Sequence, residues 1–480
     1  MKSLEPKELW SYFYDITRVP RPSKKESKII AYLQDFAEKN QLAVKTDKVG
    51  NVLIFKPATP GYENHETVIL QAHMDMVAEK NSDVDFDFEN DPIQAYVDGD
   101  WVKAKGTTLG ADNGIGMAMM LTVLSSDQIT HPALECLFTV DEETGLTGAS
   151  ALGKDFLTGK KLINLDSEDD GEIFIGCAGG LDTVGRLAFQ PEPSPEGYFG
   201  FEVMVKGLKG GHSGDDIEKG RGNANKILNR FLWKLNKETD LRLSLFNGGN
   251  LRNAIPREAK AVGCVPWAYK ETLRVQFNLF VAEVENEKRQ VEPGLRMTLD
   301  SCELPVSVMD KKSSDALLNM LYACPHGVIA MSQEIPDLVE TSTNLASVKV
   351  KNGNMIEVNT SQRSSVESSK YDIAYQVESV FLLGGAQASH GEGYPGWKPN
   401  LESSILKVAR QSYKKLFDQE AKARAIHAGL ECGLFLEKYP YLDMISIGPT
   451  MKGVHSPEER LSVTATQRCF QWLTDILSGL

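Results

Sequence analysis

The chain has 480 residues, a length at which we expect two or more domains rather than one continuous core. Hydrophobic residues make up 41% of it and charged residues 25%, a balance typical of soluble globular proteins. The formal net charge is −14, so the chain has no basic surplus with which to neutralise phosphates, and we expect no nucleic-acid partner.

We expect neither a signal peptide nor a membrane-spanning segment. Its first residues are charged throughout, and its strongest apolar run, 115–124, is too short to cross a bilayer. The seven cysteines are scattered without a CxxC pair, which favours reduced thiols over a disulfide framework. We therefore expect a cytoplasmic protein with no membrane partner.

The N-terminal region is predicted to contain two helices followed by strands. Apolar residues recur at helical spacing over 6–17 and 24–39, and Ser23 with Glu26 has the spacing of a capping box for the second helix. A Gly-Asn pair inside the next alternating stretch indicates a β-hairpin. A strand over 67–71 follows a polar turn.

A His-x-Asp pair, His73 and Asp75, comes directly after that strand. In an extended chain, residues two apart point to the same side. The carboxylate can accept a hydrogen bond from one imidazole nitrogen, which fixes the tautomer and leaves the other nitrogen free for a metal. By itself the pair is more typical of a structural histidine, so a metal role depends on further ligands nearby.

Acidic residues follow further apolar segments. Asp112 stands in a glycine-rich turn that leads into an apolar helix, and the turn lacks the Lys-Ser/Thr of a phosphate loop. Glu142 and Glu143 follow one apolar strand, and Asp166 follows another. Because ligands bind at the carboxyl ends of strands in open α/β sheets, these residues and His73 predict a metal site on a largely parallel or mixed sheet.

The middle of the chain is predicted to be a separate module. A proline-rich stretch, 190–197, marks a change of character. We expect a first domain formed by 1–186 and 393–480, with a second domain, 187–392, inserted into it. The order strand, helix, two strands occurs twice within the insert, which suggests an internal duplication.

Seven motifs together resemble the M20 clan of di-zinc peptidases, and most closely its aminoacyl-histidine dipeptidases. They are QAHMDMV, TTLGADNGIG, DEETGLTGA, INLDSED, KGLKGGHSG, HAGLECG and GPTMKGVHSPEE. The resemblance spans nearly the whole chain. It implies an α/β fold in which a mixed-sheet di-zinc peptidase catalytic domain carries an inserted α+β lid domain.

The resemblance places two metal ions in the acidic cluster. It implies that His73 and Asp166 bind one zinc ion and that Glu143 and His455 bind the other. Asp112 would bridge both ions. Two zinc ions are therefore the expected cofactor, and manganese or cobalt are possible substitutes because the donors are imidazoles and carboxylates.

The resemblance also implies catalytic roles for residues that do not bind metal. Asp75 would orient the imidazole of His73. Glu142 would be the general base that removes a proton from a metal-activated water and carries it to the leaving amine. His212, in a glycine-rich turn of the inserted domain, would stabilise charge on the carbonyl oxygen.

Further residues resemble the family's contacts with substrate. Arg363 would hold the substrate carboxylate, since a guanidinium grips a carboxylate with two parallel hydrogen bonds. Asn253 resembles a substrate-contacting asparagine of the lid. His427 and Glu431 are four apart and would share a helix face near the site, with His427 expected to contact substrate.

These expectations describe a metallodipeptidase for Xaa-His and other unblocked dipeptides. The alternative within the clan is a deacylase or carboxypeptidase acting on N-acyl amino acids, and a non-catalytic metal-binding protein would be expected to lack Glu142 or a ligand. The expected partner is a small peptide substrate. A homodimer is also expected, because clan relatives with short lids dimerise and borrow a histidine, although a duplicated lid could supply it within one chain.

Overall fold

The computed structural model describes residues 1–480, which divide into two compact units. Unit 1 contains Met1–Cys177, Trp397–Ala425 and Leu430–Leu480, and unit 2 contains Ala178–Gly396 and Ile426–Gly429. The predicted mixed α/β fold is confirmed, whereas the domain boundaries and the lid role of the insert stay predictions. None of the helices combines the length and the apolar character needed to span a bilayer.

Unit 1 is built from helices and strands at both ends of the chain. Its N-terminal elements are α1 (Lys7–Thr17), α2 (Ser27–Lys39), β1 (Ala43–Thr46), β2 (Val52–Lys56), β3 (Val68–His73), β4 (Ala95–Asp98), β5 (Trp101–Ala104), α3 (Ala111–Ser125), β6 (Leu134–Thr139), α4 (Glu142–Gly145), α5 (Thr147–Ala151), β7 (Lys161–Asn164) and β8 (Glu172–Cys177).

Unit 2 begins with strand β9. Its elements are β9 (Gly179–Ala188), β10 (Pro191–Pro193), β11 (Tyr198–Lys206), α6 (Ala224–Glu238), β12 (Arg242–Gly248), β13 (Ala259–Pro266), α7 (Lys270–Lys288), β14 (Arg296–Ser301), β15 (Ser307–Met309), α8 (Lys311–Ala323), β16 (Gly327–Met331), β17 (Val339–Lys351), β18 (Met355–Ser364), α9 (Glu367–Leu383) and β19 (Gln387–His390).

The C-terminal part of the chain supplies the remaining elements. They are α10 (Ser404–Phe417), β20 (Lys422–Ile426), α11 (Glu431–Lys438), β21 (Asp443–Ser446), β22 (Met451–Lys452), β23 (Arg460–Ser462) and α12 (Val463–Gly479).

An eight-stranded mixed sheet forms the centre of unit 1. Its strand order is β1-β2-β6-β3-β7-β21-β8-β20, and a smaller sheet has the order β22-β23-β5-β4. Strands β1 and β2 pair as the predicted antiparallel hairpin. Strand β3 runs parallel to both β6 and β7, so the carboxyl ends of these three strands meet at one edge of the sheet.

The central strands and α3 are apolar in sequence and buried in the structure. Each residue of β3 and β6 is buried, as is typical of parallel strands with both faces covered. Helix α3 is buried from Asn113 to Leu124, and its sequence is apolar all round, as expected of a core helix. This rigid core fixes the strand ends that carry the acidic residues.

Unit 2 contains a nine-stranded antiparallel sheet. Eight strands follow the order β14-β11-β13-β12-β17-β18-β9-β19, and β16 pairs with β17 beside this path. Buried side chains of the sheet and of its helices, such as Phe201, Leu232, Phe280, Leu317 and Phe381, form one apolar cluster. The predicted internal duplication stays a prediction, since both halves of the insert contribute to this one sheet.

Candidate active site

The strand ends of unit 1 bring the predicted ligands together. His73 is the last residue of β3, Glu142 and Glu143 open α4 directly after β6, and Asp166 follows β7. Asp112 lies at the start of α3, where its φ of −79° and ψ of 108° depart from helical geometry. Parallel pairing of the three strands therefore explains why residues distant in sequence share one edge.

One group of donors consists of His73, Asp112 and Asp166. The Nε2 atom of His73 lies 2.9 Å from Asp112 Oδ1 and 3.3 Å from Asp166 Oδ1. One ligand atom from each of these three residues lies within 4.8 Å of the others. This spacing suits a single metal ion.

A second group of donors shares Asp112. The Nε2 atom of His455 lies 3.1 Å from Asp112 Oδ2 and 2.9 Å from Glu143 Oε2. The ligand atoms of this group also lie within 4.8 Å of one another. The two oxygens of Asp112 thus face two different histidines, which is the arrangement required of a carboxylate that bridges two ions.

The charges of the donor set fit a pair of divalent ions. Burial alone would lower the pKa of His73, but the Asp166, Asp112 and Asp75 carboxylates raise this pKa well above its ordinary value. Hydrogen bonds to Asp112 and Glu143 raise the pKa of His455 to about 11. Three carboxylates and two imidazoles are ligands that zinc accepts, and the excess of negative charge is what bound cations would offset.

Unsatisfied polar atoms support the same fit. Glu143 Oε1 is buried and has no hydrogen-bond partner within the protein. Burial raises the pKa of Asp166 to about 6; the Asp112 carboxylate raises this pKa further, while His73 opposes the shift. A buried acceptor without a donor costs free energy, and a metal ion bound at this place would remove that cost.

Asp75 connects the first histidine to the acidic pair after β6. Its Oδ1 lies 3.3 Å from His73 Nδ1. The same carboxylate accepts N–H bonds from Glu142 at 3.0 Å and from Glu143 at 3.3 Å. Burial would raise the pKa of Asp75, but the nearby His73 imidazole and the hydrogen bonds from Glu142 and Ser23 lower this pKa to about 2. Asp75 is therefore ionised, and it orients both the His73 imidazole and the first residues of α4.

The carboxyl of Glu142 lies in an environment that favours its protonated form. Burial raises the pKa of Glu142 well above its ordinary value, and Asp166, Glu431 and Glu143 raise it further, while His73 opposes the shift. A raised pKa makes this carboxyl a stronger base than an exposed glutamate, which suits a residue that accepts a proton and then releases it.

The predicted capping box at the second helix is wrong. Helix α2 begins at Ser27 and has no side-chain cap. Instead, Ser23 Oγ donates to Asp75 Oδ2 at 2.8 Å, and Glu26 Oε1 accepts the N–H of Asp141 at 3.1 Å. Ser23 and Glu26 therefore stabilise Asp75 and the acidic loop that begins at Asp141, rather than a helix end.

Sequence reasoning missed three residues that support the ligands. Glu459 accepts N–H bonds from the turn that leads to Asp112. The buried Arg21 donates to the carbonyl oxygens of Met74 and Asp75, which follow His73, and of Gly110, which precedes α3. Asn113 donates to the carbonyl oxygen of Leu165 at 2.9 Å and to the Asp166 carboxylate. None of these contacts follows a sequence period, and all of them join residues about 50 or more positions apart in the chain, so no local pattern could have identified them.

Unit 2 brings together three of the other predicted residues. Arg363 Nη2 lies 3.5 Å from His212 Nε2, and Arg363 Nε donates to Ser213 Oγ at 3.3 Å. The carbonyl oxygen of Asn253 accepts the N–H of Ser213 at 2.9 Å. His212 Nδ1 accepts the N–H of Asp215 at 3.2 Å. One cluster therefore contains the His212 ring, the buried Arg363 guanidinium and the backbone of Asn253.

His427 belongs to unit 2 as well, but not in the way predicted. Its Nε2 lies 2.7 Å from Ser342 Oγ, and a Cβ on Gly214 would meet the His427 carbonyl oxygen at 2.1 Å. The predicted helix face shared with Glu431 is wrong, because α11 begins at Glu431 and the preceding Leu430 is extended. Burial, with a smaller contribution from Arg363, lowers the pKa of His427 to about 3.

The sequence of this chain matches a known family of peptidases. The model of "Peptidase family M20/M25/M40" matches residues 69–479, and the chain belongs to this family. It is therefore a peptide hydrolase, as predicted.

Individual relatives cover the whole chain. It is 44% identical over 480 residues to the cytosol non-specific dipeptidase of Escherichia coli K12, covering 100% of this chain and 99% of the relative. The crystal structure of aminoacylhistidine dipeptidase from Vibrio alginolyticus superposes with a TM-score of 0.94 at 43% identity, covering 100% of this chain and 98% of that one. A tripeptidase from Staphylococcus aureus, with 16% identity over 99% of this chain and 98% of its own and a TM-score of 0.57, shares the fold.

Proposed function

We propose that the chain hydrolyses unblocked dipeptides, including Xaa-His, at a two-metal centre in unit 1. Dipeptide hydrolysis is supported by 44% identity along the full length of the E. coli dipeptidase and by the 0.94 TM-score to the Vibrio enzyme. The single observation that supports the two-metal centre best is the position of Asp112, whose two oxygens lie 2.9 and 3.1 Å from two different histidines.

The proposed ligands follow from the two donor groups. His73 and Asp166 would hold one ion, Glu143 and His455 would hold the other, and Asp112 would bind both. Divalent ions held there would supply positive charge that favours ionisation of a water molecule and polarises the scissile carbonyl.

Glu142 is the proposed general base. It is adjacent to the proposed ligand Glu143. Its ligand atom also lies within 4.8 Å of those of His73 and Glu143, but it belongs to neither donor group that contains Asp112. Its backbone N–H is fixed by Asp75 at 3.0 Å, so the start of α4 is held in place. In the proposed reaction the Glu142 carboxylate accepts a proton from the attacking water and delivers it to the amine that leaves.

The cluster in unit 2 suits recognition of the substrate. Arg363 is 7% exposed, and its hydrogen-bonded neighbours include the hydroxyls of Ser213, at 3.3 Å, and Tyr394, at 2.8 Å. No bonded carboxylate neutralises its charge, so the guanidinium remains able to bind the terminal carboxylate of a peptide. His212 would stabilise the carbonyl oxygen, and Asn253 and His427 would contact the substrate.

We also propose the native metal, the cellular location and the oligomeric state of the chain. Zinc is the proposed native metal, with manganese or cobalt as possible substitutes, because imidazole and carboxylate donors suit all three. A cytoplasmic location is supported by seven free cysteines and by the name of the E. coli relative. A homodimer is proposed as well, and sedimentation of the purified protein tests it.

Hydrolysis of a dipeptide by metal-free and zinc-loaded protein tests the function. We expect the metal-free protein to be inactive, zinc to restore hydrolysis, and N-acyl amino acids to be poor substrates. Efficient cleavage of an N-acyl amino acid, with little cleavage of dipeptides, would contradict the proposal and favour the deacylase alternative.

The His212→Ala and Arg363→Ala variants are expected to differ in their kinetics. Loss of an oxyanion donor should lower kcat by about 10²-fold or more with a smaller change in KM. Loss of the carboxylate-binding charge should raise KM by about 10- to 100-fold for substrates with a free carboxylate. Steady-state kinetics on a dipeptide measures both effects.

The dipeptide amide provides the control for Arg363. The amide lacks the carboxylate, so wild type and Arg363→Ala should cleave it with similar kcat/KM. An equal loss of activity on the amide and on the dipeptide would show that Arg363 does not recognise the carboxylate.

A further inference from the structure

A buried carboxylate beside the proposed metal centre contacts a ligand without being one. Glu459 is 2% exposed, and its oxygens accept N–H bonds from the consecutive residues 109–112 at 2.6, 3.0, 2.7 and 3.3 Å. The last of these N–H groups belongs to Asp112. We propose that Glu459 is a positioning residue that holds the Asp112 carboxylate between the two histidine ligands, an inference that rests on the proposed function.

The backbone before α3 explains why a carboxylate is needed at this position. Gly110, the residue before α3, is left-handed, with φ of 70° and ψ of 30°, and as a glycine it has no side chain with which to cap the helix. The first N–H groups of a helix have no partners within it. Successive N–H groups around a left-handed residue form a concave surface that binds anions. Glu459, distant in sequence, supplies the anion that this turn requires.

The position of Glu459 in the chain links two ligands. His455 lies four residues earlier, on the segment between β22 and β23, and its Nε2 is 3.1 Å from Asp112 Oδ2. Within this segment the N–H of Glu459 donates to the carbonyl oxygen of Ser456 at 3.0 Å. One short segment therefore carries the proposed ligand His455 and also, through Glu459, accepts the backbone N–H of Asp112, the residue that His455 contacts.

A buried cation connects the same turn to the first histidine. Arg21 is 1% exposed and donates to the carbonyl oxygens of Met74, at 3.0 Å, Asp75, at 2.6 Å, and Gly110. Burial lowers the pKa of Arg21 to about 10, whereas Asp75 and Glu459 raise it, so the guanidinium is charged at neutral pH. Its charge and the four N–H bonds offset the cost of burying Glu459.

Zinc binding by Glu459→Gln tests the proposal. Glutamine keeps the size of the side chain but replaces one acceptor oxygen with an NH₂ group facing N–H donors. Metal-free, folded protein is titrated with Zn²⁺ against a chelating indicator, and activity is measured over a range of zinc concentrations. We expect the affinity for at least one ion to fall about 10- to 100-fold, and we expect added zinc to restore activity. Glu458→Gln, at the exposed neighbouring position, should bind zinc like wild type.

A purely structural role predicts a different result. Equal zinc affinity in Glu459→Gln and wild type, with only a lower Tm of the metal-free protein, would overturn the positioning role. If Glu459→Gln does not fold, Glu459→Asp serves in its place, since its oxygens are carried on a side chain one methylene shorter. Loss of zinc affinity in this variant supports the proposal, and wild-type affinity overturns it. Wild-type protein that bound fewer than two ions would instead contradict the proposed function.

Discussion

Asp112→Ala is expected to lose both metal ions and nearly all activity. Asp112 Oδ1 lies 2.9 Å from His73 Nε2, and Asp112 Oδ2 lies 3.1 Å from His455 Nε2, so one carboxylate serves both donor groups. Its removal leaves each ion with fewer ligands and leaves two positive charges with less compensation. Elemental analysis of the desalted protein measures the ions retained per chain.

Asp169→Ala is the matched control for this loss. Asp169 lies on the segment after Asp166, and its carboxylate pairs with Lys452 at 3.1 Å rather than with a donor of the site. This variant should retain two ions. Two ions retained in Asp112→Ala, or a single ion in the wild type, would contradict the bridging assignment.

Glu142→Gln is expected to lower kcat by about 10² or more while both ions remain bound. Glutamine keeps the shape of the side chain but cannot accept the proton from water. The backbone of Glu142 is held by Asp75 at 3.0 Å, so the rest of the acidic loop should stay in place. Single-turnover kinetics and elemental analysis of the same sample separate the chemical step from metal binding.

Glu143→Gln provides the comparison that distinguishes a base from a ligand. Glu143 Oε2 lies 2.9 Å from His455 Nε2, so this variant should bind one of the two ions more weakly. Added zinc should restore much of its activity, but not that of Glu142→Gln. If Glu142→Gln bound an ion more weakly and Glu143→Gln kept both ions but lost activity, the assignment of Glu142 as the base and Glu143 as the ligand would be wrong.

The positions of the central ligands could be predicted because regular structure determines them. Apolar strands that end at His73 or shortly before Glu142 and Asp166 pair in parallel, so their ends meet at one sheet edge. Parallel pairing follows from alternation of strands and helices in the sequence. His455 could be assigned only through the family resemblance, because it lies in an irregular segment with a left-handed φ of 61°.

The contacts that support the ligands could not be read from local patterns. Ser23 and Glu26 match a capping box in spacing, yet they bond Asp75 and Asp141, because the same side-chain oxygens serve either purpose. Glu459 reaches N–H groups about 350 residues earlier in the chain. Long-range pairing of this kind depends on the tertiary fold and leaves no period in the sequence.

A comparison of kcat/KM for a dipeptide, its C-terminal amide and its N-acetyl form tests whether this chain is a hydrolase of unblocked dipeptides. Arg363 is proposed to bind the free carboxylate, and the acidic groups near the metal centre favour a free, charged amine. We expect the unblocked dipeptide to be cleaved well, the amide to be cleaved at least about 10-fold more slowly, and the N-acetyl form to be hardly cleaved. An amide or N-acetyl form cleaved as fast as the parent dipeptide would contradict the assignment of this chain as a hydrolase of unblocked dipeptides.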